Sequence, residues 1–415
     1  MMSIGYGLAV SLIIGSASIY ASRTLWRRHN FNEENQWWHS LDGWSPWPKL
    51  VTVLIAAYNE EDLIGHTLDS ILAYSYPFAV EVVVVNDGST DGTRKVLDSY
   101  AAAIKMGPIK IRAFHRPNGG KSAALNFALL NPSIVRGEKT VFIDADTLVR
   151  AETIPVLVRP MANPRVGAVS GRVAVQNLGN GWFAKLITRW QQEDYTVGMA
   201  VARMAQSMAG VVMVLSGACS ACDTAAMRKL GGFATDTMAE DADAGWRLQR
   251  AGYQIANAPH AVADTRYPET PRALVKQQFR WYFGILQVIY KHREVLRHLF
   301  KNFSQAFIMG YSLINALMPL LAPFIWLLIF GALWQGRWEI TLGYYALFTS
   351  VRVVTAFVAM YNVREWSWNP LWAVFHRLIN DPLQVIVTYR SLFAALSGRL
   401  VGWGHVPRQA VFMNP

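Results

Sequence analysis

The sequence predicts an α/β domain with a Rossmann-like parallel sheet, joined to α-helical segments that cross a membrane or lie on it. Two observations support this. Apolar β-branched runs alternate with helical patterns in the first half of the chain, and long apolar segments lie at the amino end and after residue 300. The clearest run, VEVVVVNDGSTDGT from Val80 to Thr93, stays apolar until it stops at Asn86-Asp87-Gly88. Such a run is typical of a central strand covered on both faces.

The composition excludes an ordinary soluble enzyme. Hydrophobic residues make up 52% of the chain and charged residues 16%, and the 16 tryptophans fit a membrane interface. The net charge of +11 suits nucleic acid and anionic lipid alike. Because Arg and Lys flank apolar segments, we expect membrane lipid and no nucleic acid as a partner. Cys219 and Cys222 lack a second pair at a zinc-binding spacing, so we interpret them as reduced core thiols facing the cytosol.

Residues 1–22 are predicted to form an N-terminal transmembrane helix, because they are apolar and long enough to cross a bilayer. Arg23, Arg27 and Arg28 follow, which places this end in the cytosol and the amino terminus outside. A cleaved signal peptide would carry its basic residues before the apolar run. Residues 23–49, rich in Trp and Pro, are predicted to be an interfacial linker.

A cytosolic α/β domain is predicted over residues 50–290. Strand and helix patterns alternate in its first half: VTVLIAAYNE, EDLIGHTLDSIL, VEVVVVND, TRKVLDSYAAAIK, IRAFHR, SAALNFAL and TVFIDADT. This alternation predicts a doubly wound parallel sheet. The half that follows is less regular, and VGAVSGRVAVQN is expected to form strands. Ligands bind beyond the carboxyl ends of strands in such sheets, so Asp87 stands where a nucleotide would bind.

Residues 291–398 are predicted to form transmembrane and interfacial helices. IMGYSLINALMPLLAPFIWLLIFGALW is a long apolar segment, and ITLGYYALFTSVRVVTAFVAMY is a second, although it carries Arg352. Residues 370–397 are apolar but include charged positions, so they could form a third span or an amphipathic helix on the membrane surface.

Asp144-Ala145-Asp146 closes the strand pattern TVFIDADT. Two carboxylates at alternate positions beside a diphosphate are what Mg²⁺ or Mn²⁺ needs, because these cations take oxygen ligands. The alternative is a pair of turn aspartates, since the Asp-x-Asp pattern is common.

Glu240-Asp241 precedes an amphipathic helical pattern. Acids at the start of a helix are the simplest interpretation of this pair. The functional interpretation makes Asp241 a general base at the mouth of the sheet, where it would take a proton from an attacking hydroxyl.

Gln277-Gln278-Phe279-Arg280-Trp281 forms the pattern Gln-x-x-Arg-Trp. Arg280 could pair with a diphosphate and Trp281 could stack on a sugar ring. The alternative is an Arg-Trp pair at a membrane interface. Lys121 follows two glycines and could also meet a phosphate, but the spacing before it is not that of a P-loop.

Taken together, in this order and ahead of membrane segments, these motifs resemble the processive family-2 glycosyltransferases. That family includes the chitin, hyaluronan, cellulose and poly-N-acetylglucosamine synthases. The resemblance covers residues 50–290 by motif and the flanking segments by architecture. Gln277-x-x-Arg280-Trp281 is its most specific part, because it marks the polymerising members. The resemblance implies a GT-A-like fold for the cytosolic domain.

On the donor side, the resemblance implies a UDP-sugar site. Asp87 would hold the uracil beside the strand end Ala57-Tyr58-Asn59-Glu60. Asp144 would contact the nucleotide, with Lys121 near the phosphates. Asp146 would hold the Mg²⁺ or Mn²⁺ on the diphosphate.

On the acceptor side, the resemblance implies that Asp241, next to Glu240, is the catalytic base. Arg280 of the Gln277 motif would neutralise the leaving diphosphate, and Trp281 would line the acceptor site. Two further segments match acceptor and gating regions: Ser216-Gly217-Ala218, and Gly402-Trp403-Gly404 with Arg408 close behind. One departure is Ala239, where the family usually has threonine, and it is expected to remove a hydrogen bond that supports the loop.

The implied function is a multi-pass plasma-membrane enzyme that polymerises UDP-N-acetylglucosamine into an exopolysaccharide and translocates the growing chain. UDP-glucose is the main alternative donor, and a small export subunit is a further expected partner. Because the Trp403 segment would have to lie near a cytosolic active site, residues 399–415 should be cytosolic, which favours two spans after residue 300. The alternatives are transfer of one sugar to a lipid, which product length would separate, and a non-catalytic export subunit.

Overall fold

The computed structural model describes residues 47–103, 109–177, 179–208, 211–298, 303–363, 372 and 376–399. The predicted anchor at residues 1–22, most of the linker, and the gating residues Trp403 and Arg408 lie outside the described residues.

The described residues form one eight-stranded sheet with helices on both faces. The strands are β1 Leu50–Ala57, β2 Ala79–Asp87, β3 Ile109–Arg116, β4 Lys139–Ile143, β5 Leu148–Val149, β6 Val166–Val175, β7 Cys219–Asp223 and β8 Gln254–Thr265. The helices of the α/β part are α1 Ile64–Leu72, α2 Thr93–Ala103, α3 Lys121–Leu129, α4 Thr153–Val158, α5 Trp182–Val197, α6 Arg203–Met208, α7 Thr224–Lys229, α8 Glu240–Arg250 and α9 Pro271–Lys291. Beyond them lie α10 Phe303–Leu317, α11 Ala322–Trp334, α12 Trp338–Val363 and α13 His376–Ala394.

Strand β2 shows why the sheet forms where the apolar runs are. Val82 and Val84 are fully buried in the core on one face, against α1 and α2, and Val83 and Val85 are buried in the core on the other face, against α3. Successive side chains of a strand point to opposite faces, so a strand with helices on both sides needs an apolar residue at every position. The prediction from the continuous run is confirmed.

The sheet is parallel in its first half, which confirms the prediction made there from the alternating strand and helix patterns, and antiparallel pairs follow in its second half. Strands β3, β2, β1 and β4 are parallel and lie side by side in that order. Strand β7 then runs antiparallel to β4 and to β6. The predicted strands in VGAVSGRVAVQN are one strand, β6, which pairs in parallel with β8.

Asp243 fastens helix α8 to helix α9. Its side chain is fully buried, and it accepts hydrogen bonds from Arg247 Nε at 2.6 Å and from His292 Nε2 at 3.0 Å. The ammonium of Lys291 lies 3.1 Å from the same carboxylate. Lys291 is the last residue of α9, so one buried charge fixes the helix that begins at Glu240-Asp241 against the helix that carries Arg280-Trp281.

Two helical segments beyond residue 303 are long and apolar enough to cross a membrane, judged by length and composition. They are Gln305–Trp334, which includes α10 and α11, and Trp338–Tyr361 in α12. Their side chains are mostly exposed, unlike those of a soluble core helix. The third segment considered, now α13, is not among these candidates in the described part of the chain, and it packs on α5 and α9 through Leu383 and Val387.

Arg352, the charge that interrupts the apolar pattern of α12, is paired. Its guanidinium donates to Glu193 Oε1 at 2.8 Å and to Asp194 Oδ1 at 2.7 Å, both on α5. Glu193 is almost fully buried. A desolvated charge is retained when a partner neutralises it, so this contact ties the apolar helices to the α/β domain.

We expect Asp243→Asn to lower the free energy of unfolding by about 3 kcal/mol, because it leaves buried cationic partners without their counter-charge. Although burial opposes it, the hydrogen bond from His292 and the charges of Arg247 and Lys291 lower the pKa of Asp243 to about 2. The stabilisation is therefore present above the unfolded-state pKa of about 3.9 and is lost as the pH falls towards 2.

Thermal unfolding of the full chain in lipid nanodiscs measures this effect. Asp236→Asn is the matched control, since Asp236 also pairs with Lys291 but is 36% exposed, and its loss should cost roughly 1 kcal/mol or less. Equal effects of the two substitutions would contradict the role given to Asp243.

Candidate functional site

The carboxyl ends of β1 and β2 are joined by side chains at one edge of the sheet. Asn59 has φ 56°, in the left-handed region that asparagine tolerates. Its Oδ1 accepts from Thr90 N at 2.8 Å, and its own N–H donates to Ser89 Oγ at 3.0 Å. The predicted strand end Ala57-Tyr58-Asn59-Glu60 therefore forms one structured rim with the loop after Asp87.

Asp87 lies at the end of β2 and is only 2% exposed. Its carboxylate accepts from Arg116 Nη1 at 2.9 Å and from the backbone N–H groups of Gly119 and Gly120, the latter at 2.6 Å. Both oxygens are thus engaged in holding the glycine loop that precedes Lys121. In the structure Asp87 organises this loop, and its expected contact with uracil remains a prediction.

Gly88 allows the two loops to approach each other. It has φ +72°, and a Cβ built on it would lie 2.5 Å from the backbone N of Asn118. Only a residue without a side chain fits so close an approach.

Lys121 is the central cation of the site. Its ammonium forms an ion pair with Asp144 and donates to the carbonyl oxygen of Gly217 at 3.3 Å. Burial lowers the pKa of Lys121, but the charges of Asp144, Glu240 and Asp241 outweigh burial and raise it overall. Lys121 is therefore held protonated between the end of β4 and the start of α8.

Asp146 is the carboxylate best placed to hold a divalent cation. Thr147 and Thr265 hydroxyls donate to its Oδ1 at 3.2 and 3.4 Å, and burial and the Asp144 charge raise its pKa. Burial and the same two aspartates also raise the pKa of Glu60 to about 7. Carboxylates that repel one another at a strand end fit a cation that brings positive charge.

Within the described residues, no group of three or more His, Cys, Asp or Glu side chains has the geometry of a complete metal site. Mg²⁺ and Mn²⁺ are commonly held by one or two carboxylates, with the phosphates of a substrate and water completing the shell.

Asp241 lies in the first turn of α8, close to the segment Ser216-Gly217-Ala218. A Cβ built on Gly217 would lie 3.1 Å from Asp241 Oδ2 and 3.5 Å from Lys121 Nζ. Burial and the neighbouring Glu240 charge raise the pKa of Asp241 to about 6. A carboxylate with that pKa is ionised at neutral pH and basic enough to accept a proton. The structure thus brings three of the predicted segments together.

Thr237, a residue that the sequence analysis did not single out, holds the loop before Asp241 in place by hydrogen bonds. Thr237 Oγ1 accepts from Ala239 N at 3.1 Å and donates to Gly284 O on α9 at 3.4 Å. Ala239 packs directly on Gly284, where an added Cβ would lie 2.8 Å from both the Cβ and the backbone N of Ala239. The hydroxyl expected to be lost at Ala239 is therefore supplied two residues earlier.

The Gln-x-x-Arg-Trp pattern lies in the first half of α9, and its members face different surroundings. Arg280 is exposed and makes no hydrogen bond or ion pair with any described residue. Gln277 Oε1 is buried and has no hydrogen-bond partner in the described part of the chain. The ring of Trp281 meets Tyr195 of α5 edge-on, with centroids 5.9 Å apart, and Tyr195 meets Tyr267 at 4.7 Å.

Two side chains of this site escaped the sequence analysis. The hydroxyl of Tyr195 is buried without a hydrogen-bond partner among the described residues. Arg203, at the start of α6, donates from Nη1 to Ser170 Oγ at 3.0 Å, and Ser216 N donates to the same oxygen at 3.1 Å. The available signal was a lone arginine inside the apolar stretch GMAVARMA, where a charge needs a reason to be buried.

The two cysteines lie on β7 and are free and buried, as predicted. Cys219 faces one core and Cys222 the other, and burial raises the pKa of both thiols, to about 12 for Cys219. Thiols with such pKa values are protonated and unreactive.

Comparison with known proteins gives a family and several relatives. The sequence profile of the family described as "Glycosyltransferase like family 2" matches residues 48–284. The poly-beta-1,6-N-acetyl-D-glucosamine synthase of Staphylococcus epidermidis is 28% identical over 240 residues, covering 58% of this chain and 55% of that protein. The Staphylococcus aureus protein of the same name (strain MSSA476) is 28% identical over 327 residues, covering 78% and 73%. The chain thus spans little more than half the length of the first relative.

Two solved structures also align with the chain. The mannosyltransferase PcManGT from Pyrobaculum calidifontis, in complex with GDP-Man and Mn²⁺, has a TM-score of 0.49 and 24% identity, over 87% of this chain and 100% of that one. S. aureus TarS 1-349 has a TM-score of 0.44 and 15% identity, over 84% and 91%.

We expect Gly88→Ala to destabilise the site far more than Gly181→Ala. Both glycines have a φ near +80°, so each substitution costs about 1–2 kcal/mol of backbone strain. A methyl group on Gly181 would meet nothing within 4 Å, whereas on Gly88 it would strike Asn118 and add at least about 1 kcal/mol. Thermal unfolding of both variants measures the difference, and equal losses would show that the loops need not approach so closely.

Proposed function

Because the chain belongs to glycosyltransferase-like family 2, the family that its motifs resemble, we propose that it is a membrane-embedded, processive, inverting β-glycosyltransferase that polymerises a UDP-sugar. The observation that carries this proposal is the meeting of Asp241, Gly217 and the Lys121–Asp144 ion pair at one edge of the sheet. Transfer of a sugar from a nucleotide to a hydroxyl requires a base, a cation near the phosphates and a site for the acceptor, all close together.

In this mechanism Asp241 takes the proton of the acceptor hydroxyl. The acceptor oxygen forms a bond to the anomeric carbon of the donor sugar as the bond between that carbon and the diphosphate oxygen breaks. UDP departs with the electron pair of the broken bond. Attack in line with the leaving group inverts the anomeric centre, so an α-linked donor gives a β-linked product. The pKa of Asp241, about 6, suits a base that must be free of its proton at neutral pH.

Two cationic side chains and a metal ion held by a third residue would stabilise the negative charge that develops on the leaving UDP. Arg280 is exposed and has no ion-pair partner in the described residues, so its guanidinium is available to the diphosphate. Lys121 is held protonated beside Asp144. Asp146 would hold Mg²⁺ or Mn²⁺, which when bound supplies further positive charge to the diphosphate.

Trp281 and Tyr195 would form the aromatic wall of the acceptor site. Their rings meet edge-on at 5.9 Å. Aromatic faces bind the apolar face of a sugar ring. A polymer held on this wall between additions would keep its place as acceptor, which is the physical basis of processivity.

N-acetylglucosamine is the donor sugar that we propose. The support comes from the S. epidermidis and S. aureus relatives, both named poly-β-1,6-N-acetyl-D-glucosamine synthase. UDP-glucose is the alternative. The two long apolar helices support a plasma-membrane location, with the α/β domain in the cytosol and the polymer leaving between the helices.

A panel of donors tests this function. The full chain in lipid nanodiscs receives Mg²⁺ or Mn²⁺ and labelled UDP-N-acetylglucosamine, UDP-glucose or UDP-glucuronate in turn, and the products are sized. We expect a long polymer from UDP-N-acetylglucosamine and none after chelation of the metal. A single sugar on lipid would replace the processive proposal with the non-processive one, and no incorporation from any donor would favour a non-catalytic export subunit.

Asp241→Asn should lower turnover by about 10²–10⁴-fold while UDP binding stays intact, because it removes the base and little volume. In the wild type, turnover should fall as the pH drops below about 6, since Asp241 must be ionised and its pKa is raised to about that value. Incorporation of label against pH measures both. Near wild-type turnover in Asp241→Asn would show that another group takes the proton.

A further inference from the structure

Arg203 occupies a position for which the proposed mechanism has no role. It begins α6, directly after the π-helical segment Gly198–Ala202 that follows α5. Its side chain is partly buried between strands and helices that all contribute to the site. Ser170 of β6, Tyr195, Tyr267 and Asp241 all interact with its guanidinium by hydrogen bond or charge.

The contacts of Arg203 lead directly to the turn beside Asp241. The Nη1 of Arg203 donates to Ser170 Oγ at 3.0 Å, and the N–H of Ser216 donates to that same oxygen at 3.1 Å. Ser170 is fully buried, so its hydroxyl has no access to water. The next residue, Gly217, is the one that abuts Asp241 Oδ2. A chain of two hydrogen bonds therefore joins Arg203 to the turn that borders the carboxylate.

The positive charge of Arg203 is not neutralised nearby. Its one hydrogen bond to the rest of the described chain goes to a neutral serine, and it forms no ion pair there. The carboxylate on which its charge acts most strongly is Asp241. A cation in a region of low dielectric interacts with an anion more strongly than it would in water.

We propose that Arg203 is a positioning residue for the Asp241 site, which holds the Ser216–Ala218 turn through Ser170 and stabilises the Asp241 carboxylate with a fixed positive charge. This inference rests on the proposed function, since it assumes that Asp241 acts as the base. Arg203 itself need not touch the substrate.

The charges that face Asp241 come from three elements. Glu240, its neighbour on α8, raises the pKa of Asp241, and burial raises it more. Lys121 on α3, Arg203 on α6 and the backbone N–H of Ala242 lower it. Lys121 is already shared with Asp144, so Arg203 is the cation that no carboxylate binds directly. Removing it should leave Asp241 harder to ionise.

Three variants separate the charge of Arg203 from its hydrogen bond. Arg203→Gln removes the charge, Arg203→Lys keeps the charge but loses the guanidinium geometry, and Ser170→Ala removes the shared hydroxyl and leaves the charge. Each is measured as the full chain in nanodiscs, by initial rates of label incorporation from UDP-N-acetylglucosamine across pH 5 to 8, with UDP binding as the test of an intact fold.

We expect Arg203→Gln to move the acidic limb of the rate profile upward by roughly one pH unit, so that turnover at pH 6 falls about fivefold more than at pH 8. Arg203→Lys should return the limb to the wild-type position. Ser170→Ala should lower turnover equally at every pH and leave the limb in place. A merely structural role for Arg203 would lower the rates without moving the limb.

A wild-type limb in an Arg203→Gln variant that binds UDP normally would overturn this inference. If Arg203→Gln does not bind UDP, the other two variants decide, and full turnover in both Arg203→Lys and Ser170→Ala would overturn it as well. If the proposed function itself were wrong, the result would differ: Asp241→Asn would remain active, or the wild type would incorporate no sugar.

Discussion

Crowding of negative charge at one edge of the sheet is the constraint on which the rest of the site depends. The ends of β1 and β4 bring Glu60, Asp144 and Asp146 together, and the start of α8 adds Glu240 and Asp241. So many carboxylates in a partly buried space repel one another unless cations are built in. Lys121 and Arg203 supply positive charge from helices α3 and α6. A donor diphosphate with its metal would bind near the carboxylates whose negative charge these two side chains do not offset.

The fold holds the two halves of this site together by buried contacts behind it. Asp243 lies two residues beyond Asp241 on the opposite side of α8, and its ion pairs with Lys291 and His292 fix the start of α8 relative to the helix that carries Arg280 and Trp281. Thr237 fixes the loop just before Asp241 to the same helix. These structural contacts are made by residues other than Asp241, Arg280 and Trp281.

The sequence predicted the GT-A-like α/β domain, because a buried strand between two helix layers must be apolar throughout. It predicted the family because the recognisable motifs follow directly after such strands. It did not predict the antiparallel entry of β7, which leaves no mark on hydrophobic periodicity. Nor did it single out Asp243, Thr237 or Arg203, since their roles come from partners far away in the chain, which only the folded structure identifies.

Arg352 links the apolar helix α12 to helix α5 of the α/β domain. Its guanidinium is held by Glu193 and Asp194, and the same helix α5 continues to Tyr195, which meets Trp281, and through the π-helical segment to Arg203. The α/β domain and the apolar helices are therefore not interchangeable modules. In a chimera that joins this α/β domain to helices of another protein, those helices must carry an arginine at the position of Arg352. Without it, Glu193 and Asp194 would lose their ion-pair partner.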